Sequence, residues 1–237
     1  MGLEPVSRSI LVVDVEKSSD RVDTEKAVLR DALYRVLREG LDAAGLPGGA
    51  CRLDDLGDGV LAVVDCEVLP VLDPLLDVAV DALARHNAAV PPPGWLRLRF
   101  GVHFGLVARD SHGWVGDAMT TAFRVVNGAG VKAVLKAAER AQSVVAVSDA
   151  VHESVVRHGY RGIQPSAYRR LVDDGRVVWV RVPGYAEPPV PAGYAGDRPP
   201  AVEPPPAKVV HVHANGNAFT VDSIGHVDAR TTLGERS

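Results

Sequence analysis

The sequence predicts an α+β domain on a mostly antiparallel sheet, in the ferredoxin-like (split βαβ) arrangement with a C-terminal extension. Three observations predict it. Short apolar runs of strand length alternate with longer segments of helical period in the order β-α-β-β-α-β, followed by further α and β. Glycine- and proline-bearing turns separate these segments. A chain of 237 residues with 46% hydrophobic and 24% charged residues is long enough to bury a sizeable core.

Each element has its own signal. Ser9 to Val15 is an apolar run ending in a carboxylate, the pattern of a buried strand. Asp20 and Asp23 offer N-caps to a helix over Val22 to Leu41, where Leu29, Leu33, Val36, Leu37 and Leu41 recur at helical spacing. Gly45, Pro47, Gly48 and Gly49 stop it. Cys51 to Leu56 and Val60 to Val64 read as strands joined through Gly57-Asp58-Gly59, a tight-turn signature. A second helix is expected over Asp73 to Asn87, then a break at Pro91 to Pro93. From Leu96 to Val107, Leu96, Leu98, Phe100, Val102 and Phe104 alternate with Arg97, Arg99 and His103, a strand. Helical segments follow over Gly116 to Asn127 and on to about Ala141, with Gly128-Ala129-Gly130 as a break. Val144 to Val147 is a strand, and Ser148-Asp149 caps a short helix to His158. Tyr168 to Val172 and Val177 to Val182 form a hairpin around Asp173-Asp174-Gly175. The helices are expected to cover one face of the sheet.

This places a domain over residues 1–183. Prolines then crowd residues 184–207, the composition of an extended linker. Residues 208–237 form a β-prone tail, in which Val210, Val212, Phe219, Val221, Ile224 and Val227 alternate around a hairpin signal at Asn215-Gly216. The formal net charge of -4 argues against a general nucleic-acid binder. Cys51 and Cys66 belong to no C-x-x-C or Cys/His cluster, which argues against structural zinc. No apolar stretch reaches the roughly 20 residues of a membrane span, and no signal-peptide pattern opens the chain. A cytoplasmic location is expected.

Two acidic residues stand out. Asp14 ends a buried strand within Val12-Val13-Asp14-Val15-Glu16-Lys17-Ser18-Ser19, and Asp58 sits in a hairpin turn within Leu56-Gly57-Asp58-Gly59-Val60. If the hairpin neighbours the opening strand, the two carboxylates meet at one sheet end. There they repel unless a cation lies between them. Divalent ions would remove that repulsion and bridge to phosphate oxygens. The turn after Asp14 leads into a helix, whose free N–H groups favour phosphate. Taken singly, a strand-end Asp is usually a cap and G-D-G only a turn; together and in this order they are far more specific.

With these segments the chain resembles the catalytic domain of class III nucleotidyl (adenylate/guanylate) cyclases, of a divergent actinobacterial type. VVDVEKSS resembles the family's strand-Asp-Ile-x-x-Phe-Thr segment and LGDGVLAVV its I-G-D-G hairpin. LRFGVHFGLV resembles its R-x-G-I-H-x-G strand and GWVGDAMTTAFRVVN its G-x-x-V-N-x-A-x-R helix. The match runs from about Ser9 to Val182. It implies Asp14 and Asp58 as ligands of two Mg2+ or Mn2+ ions, with Arg124 stabilising the transferring phosphate from a second chain of a homodimer. The substrate would be a nucleoside triphosphate and the products a 3′,5′-cyclic nucleotide and pyrophosphate, made for intracellular signalling.

Some positions depart from the pattern. Thr120 stands at the ribose-orienting Asn, and Ser18 and Ser19 replace Phe-Thr over the phosphates. Asp54 occupies the base-reading position, where an acidic residue goes with guanine, and the second base-reading position falls near Gly113. The family's late Lys for the terminal phosphates has no counterpart in Val172-Asp173-Asp174-Gly175, leaving Arg169, Arg170 or Arg176 as substitutes or as a solvated hairpin edge. His103 is read as structural, and His211-Val212-His213 is weak metal evidence. These departures keep open an alternative: a catalytically inactive, nucleotide-sensing or adaptor module acting on a protein partner through its tail. The tail loosely resembles short amyloid-type signalling motifs.

Overall fold

The computed structural model describes residues 4–46 and 49–195, and the backbone of strands at 211–214, 217–223 and 226–228; the Ser19 side chain lies outside the described residues. The chain forms two compact units, Met1–Asp197 and Arg198–Ser237.

In the first unit, β1 (Val6–Val15) is central, because Ile10 to Val13 are apolar on both sides and buried on both. Helix α1 (Asp23–Ala43) follows. Strands β2 (Cys51–Asp55) and β3 (Gly59–Val64) form the expected hairpin. A helical turn, α2 (Val68–Pro70), is separated from α3 (Leu76–Ala89) by a kink at Asp73, whose backbone is extended (φ -150°, ψ 118°). Then come β4 (Leu98–Arg109), a short β5 (Trp114–Val115), α4 (Asp117–Asn127) and α5 (Ala129–Ala137). Strand β6 (Ser143–Ser148), α6 (Asp149–Ser154) and the hairpin β7 (Arg169–Asp173) and β8 (Arg176–Arg181) complete the sheet.

The strand order is β2-β3-β1-β4-β6-β8-β7, with β5 paired to β4. All neighbours are antiparallel except β4 and β6, whose α4–α5 crossover returns the chain in the same direction. The first four strands have the expected split βαβ order.

Helices cover both faces of the sheet, not one. Leu11, Val13 and Val15 pack with α1, α3 and Val151 of α6. Ile10, Val12, Leu61 and Val63 pack on the other face against Ala118, Ala122 and Val126 of α4, and α5 lies over Val144, Ala146 and Val180. The second layer lies on the glycines of β4. A Cβ on Gly101 would stand 2.6 Å from Val126 Cβ, and one on Gly105 2.9 Å from Ala118 Cβ, so only glycine lets α4 approach this closely.

Helix α1 departs from expectation at its start. Its N-cap is Val22, without a side-chain cap, and Asp23 lies in the first turn. A 3-10 turn, Ser18–Asp20, lies between β1 and α1. Residues 185–195, expected as part of the linker, pack on the domain instead, and the rest of the expected linker, 196–207, lies outside the described residues. Tyr185, Val190 and Tyr194 pack on the α5 side, and Ala195 bridges Leu171 on the sheet edge. Glu187 pairs with Arg169.

The second unit is an antiparallel sheet, β9 (His211–Ala214), β10 (Asn217–Ser223) and β11 (His226–Asp228), with β10 in the middle. Asn217 is opposite Ala214; Asn215 and Gly216, where the sequence predicts the hairpin turn, lie outside the described residues.

Candidate functional site

The corner where β1, β3 and β4 end brings Asp14 and Asp58 together. In register, Asp14 faces Gly59 on one side and Arg99 on the other. Val15 N–H donates to Asp58 O at 3.0 Å, tying the turn to the strand end. Gly59 makes this approach feasible, since a Cβ there would overlap Val13 O and stand 3.2 Å from Asp14 Cα. Gly57 takes the left-handed turn conformation (φ 87°), and its N–H donates to Asp55 Oδ1 at 2.6 Å. Both glycines of G-D-G therefore have a physical cause.

Asp14 is largely buried. Burial raises its pKa above the ordinary 3.8, the Arg99 charge lowers it, and the Asp58 charge raises it again; Lys132 also lowers it. Arg99, buried itself, forms an ion pair with Asp14, while its Nε has no hydrogen-bond partner among the described residues. The sequence reading placed Arg99 in a motif without a role. The alternation of Leu96 to Phe104 put it on the polar side of a strand, and only the second helical layer makes that side an interior.

These residues fit divalent ions of the Mg2+ type. Such ions keep several waters and take one or two carboxylates plus phosphate oxygens, not an all-protein cage. No group of three or more His, Cys, Asp or Glu that could hold a metal occurs among the described residues. Two adjoining carboxylates, one held partly desolvated, are a donor pair that a divalent ion would satisfy. Asp14 and Asp58 would hold it, with Arg99 displaced from Asp14 or shared.

Ser18, Lys26, Arg30 and the Gly57-Asp58-Gly59 turn line a small cleft beside this corner. Arg30 pairs with Asp55 and Lys26 with Asp23 at 3.5 Å. Lys26 and Arg30, one helical turn apart on α1, supply positive charge next to Asp58 that the sequence reading did not single out.

The other expected residues lie elsewhere. On α4, Ala118, Met119, Ala122, Val125 and Val126 are buried, while Thr120 and Arg124, four residues apart, share the exposed side. Arg124 lines an open cleft of ≈ 600 Å³ together with His103, Ser148, Asp173 and Arg176. Asp173 builds one wall: its Oδ2 accepts from Gly130 N–H at 2.7 Å, docking the β7–β8 turn on the α4–α5 break. Of the three candidate arginines, Arg176 is the one in this cleft; Arg169 pairs with Glu187. His103 Nδ1 lies 2.8 Å from Ser148 Oγ, and burial lowers its pKa, in keeping with a structural role. Thr120 lines a neighbouring cleft of ≈ 410 Å³ with Asp54 and Gly113. Asp54 is already paired there, with Arg52 Nε at 2.6 Å.

The expected residues thus fall into two groups: Asp14, Asp58 and Ser18 at one corner, and Thr120, Arg124, Asp54 and Arg176 around other clefts. No protein-family model matches this sequence, and no relative was found among curated proteins. Solved structures do match. An adenylate/guanylate cyclase/hydrolase from Silicibacter pomeroyi is 21% identical, with a TM-score of 0.53 over 77% of this chain and 99% of that one. The guanylyl cyclase Cya2 is 17% identical, with a TM-score of 0.53 over 82% of this chain and 99% of that one. The adenylyl cyclase CyaB from P. aeruginosa is 13% identical, with a TM-score of 0.50 over 77% and 95%. With its G-D-G turn, its two-sided sheet and its α4 packed on the glycines of β4, this chain has the fold of the class III adenylate/guanylate cyclase catalytic domains.

Proposed function

We propose that the protein is a nucleotidyl cyclase. It would convert a nucleoside triphosphate to a 3′,5′-cyclic nucleotide and pyrophosphate, as a homodimer with active sites between chains. The carrying observation is the corner itself, where the Val15–Asp58 hydrogen bond and the glycine at 59 hold two acidic residues side by side, one of them buried. The two ions held by Asp14 and Asp58 would supply charge to activate the 3′-hydroxyl and stabilise the leaving pyrophosphate. Ser18 and Arg99 of the same chain would face the phosphates. From the partner, Arg124 would stabilise charge on the transferring phosphate and Arg176 the terminal phosphates, a task suited to guanidinium groups. Thr120 would orient the ribose, and Asp54 would face the base. The separation of these two groups on one chain is what a site shared between chains requires. The reaction would take place in the cytoplasm. No helix among the described residues is long and apolar enough to cross a membrane.

The test is to incubate the purified protein with Mn2+ and each of ATP, GTP, CTP and UTP, and to assay pyrophosphate and cyclic product. Turnover that disappears in Asp58→Ala is expected. Absence of turnover with all four nucleotides rules the proposal out. A second reading, nucleotide sensing without chemistry, is favoured by the guanidinium already on Asp14 and by threonine at 120; tight nucleotide binding without product distinguishes it. In either reading the tail, whose sheet has β9 and β11 as its edge strands, would recruit a protein partner by strand addition. A tail-deleted chain that keeps its partners and solubility would refute that role.

A further inference from the structure

Far along the sheet from Asp14, a second cavity of ≈ 330 Å³ opens between the start of α3, the α6–β7 connection and the end of β8. Its walls carry two guanidinium groups and two carboxylates. Arg181 donates to Asp77 Oδ1 at 2.7 Å and lies over the buried Tyr168 ring, 5.9 Å from its centroid. Its Nε is buried without a hydrogen-bond partner among the described residues. Arg161 donates from one Nη to Asp73 O at 2.6 Å, leaving its other donors for the cavity. The Asp73 carboxylate has no hydrogen-bond or ion-pair partner among the described residues.

Arg161 also stands where its side chain is a conformational cost. Its φ is 54°, between Gly159 (φ 66°) and Gly162 (φ 83°). A third glycine would fit that backbone better, so the guanidinium at the cavity edge is held there against local preference.

We propose that this cavity is a binding site for a small α-amino acid, separate from the nucleotide site. The charges select the ligand class. A simple anion would meet Arg161 and Arg181 but also the unpaired Asp73. A simple cation would meet Asp73 but also two guanidiniums. A zwitterion places its carboxylate on the arginines and its ammonium on Asp73, leaving no charge without a counterpart. Leu72 and the Tyr168 ring supply an apolar wall for a short aliphatic side chain. The volume is at the lower end for ligand pockets, which suits a molecule of that size.

The test uses the full chain, with calorimetry and thermal shift against the common α-amino acids, propionate and propylamine, each up to roughly 10 mM, a range covering weak metabolite sites. The expected result is saturable binding of at least one aliphatic amino acid and none of the single-charge compounds. Arg161→Gly, which relieves the backbone, and Asp73→Asn should each weaken binding about tenfold or more, the loss of one charge-assisted contact. Both variants should melt within a few degrees of the parent. Absence of binding by every amino acid overturns the proposal. So does equal binding of propionate or propylamine, or unchanged affinity in both variants. Because neither residue belongs to the proposed cyclase machinery, nucleotide turnover can fail while this site stands, and the reverse.

Discussion

Replacing Gly59 by alanine places a methyl group against the backbone of the neighbouring strand. The new Cβ would overlap Val13 O and stand 3.1 Å from Val13 C and 3.2 Å from Asp14 Cα. None of these atoms is the end of a flexible side chain, so β3 must move away from β1. Overpacking a well-filled interior costs about 1–3 kcal/mol, and a rigid backbone neighbour puts this case at the upper end, about 3 kcal/mol. For a domain of this size that is a fall in melting temperature of roughly 6–12 °C. Gly57→Ala is the control. Nothing lies within 4 Å of its Cβ, and only the positive φ opposes it, at about 1 kcal/mol or roughly 2–4 °C. Thermal unfolding by circular dichroism compares the two. Mn2+ titration of the folded variants then asks whether parting β3 from β1 also parts the two carboxylates. If Gly59→Ala melts as high as Gly57→Ala and binds Mn2+ as the parent does, close strand approach does not build this corner.

Other expectations follow from the same structure. Asn87 is buried and bonds both the N–H and the C=O of Leu96, each at 2.8 Å. Asn87→Ala would strand two buried backbone groups, for a loss of about 3 kcal/mol measured by urea unfolding; a loss under about 0.5 kcal/mol would mean water replaces the side chain. Burial pushes the Cys51 thiol up from 9.0 to about 11, with Cys66 and Asp54 adding to it. At pH 8 iodoacetamide should therefore modify native Cys51 about 100-fold more slowly than in the unfolded chain, and equal rates would remove the burial argument. The raised value also has a sign: stability from this thiol is complete below pH 9.0 and is lost as pH rises through about 11. Finally, mixing inactive Asp58→Ala with inactive Arg124→Ala should restore about a quarter of the parent activity, since half of randomly paired dimers carry one intact site. No restored turnover would place both residues in one chain's site.

Much of this could be read along the chain because its physical cause is local. An apolar run of strand length must be buried, and a glycine pair around Asp58 marks a turn whatever surrounds it. The residues of α4 that point outward, Thr120 and Arg124, follow from helical period alone. The linker boundary was harder, because proline content reports backbone stiffness and says nothing of whether Tyr185 or Tyr194 finds a surface to pack on. The N-cap of α1 was harder too: Asp20 and Asp23 are both good caps, yet the cap position falls on Val22, between them.

The sequence by itself determined the order of elements, the turn at Asp58 and the residue types available for chemistry, since these depend on periodicity and backbone preference within a few residues. The tertiary structure alone decided that Arg99 meets Asp14, because that contact needs the register of two strands 85 positions apart in sequence. It also decided that Arg176, not Arg169, shares a cleft with Arg124, because docking of Asp173 on the α4–α5 break sets where the hairpin lies. Pairings of this kind join residues whose local patterns carry no information about one another, so only the packed chain specifies them.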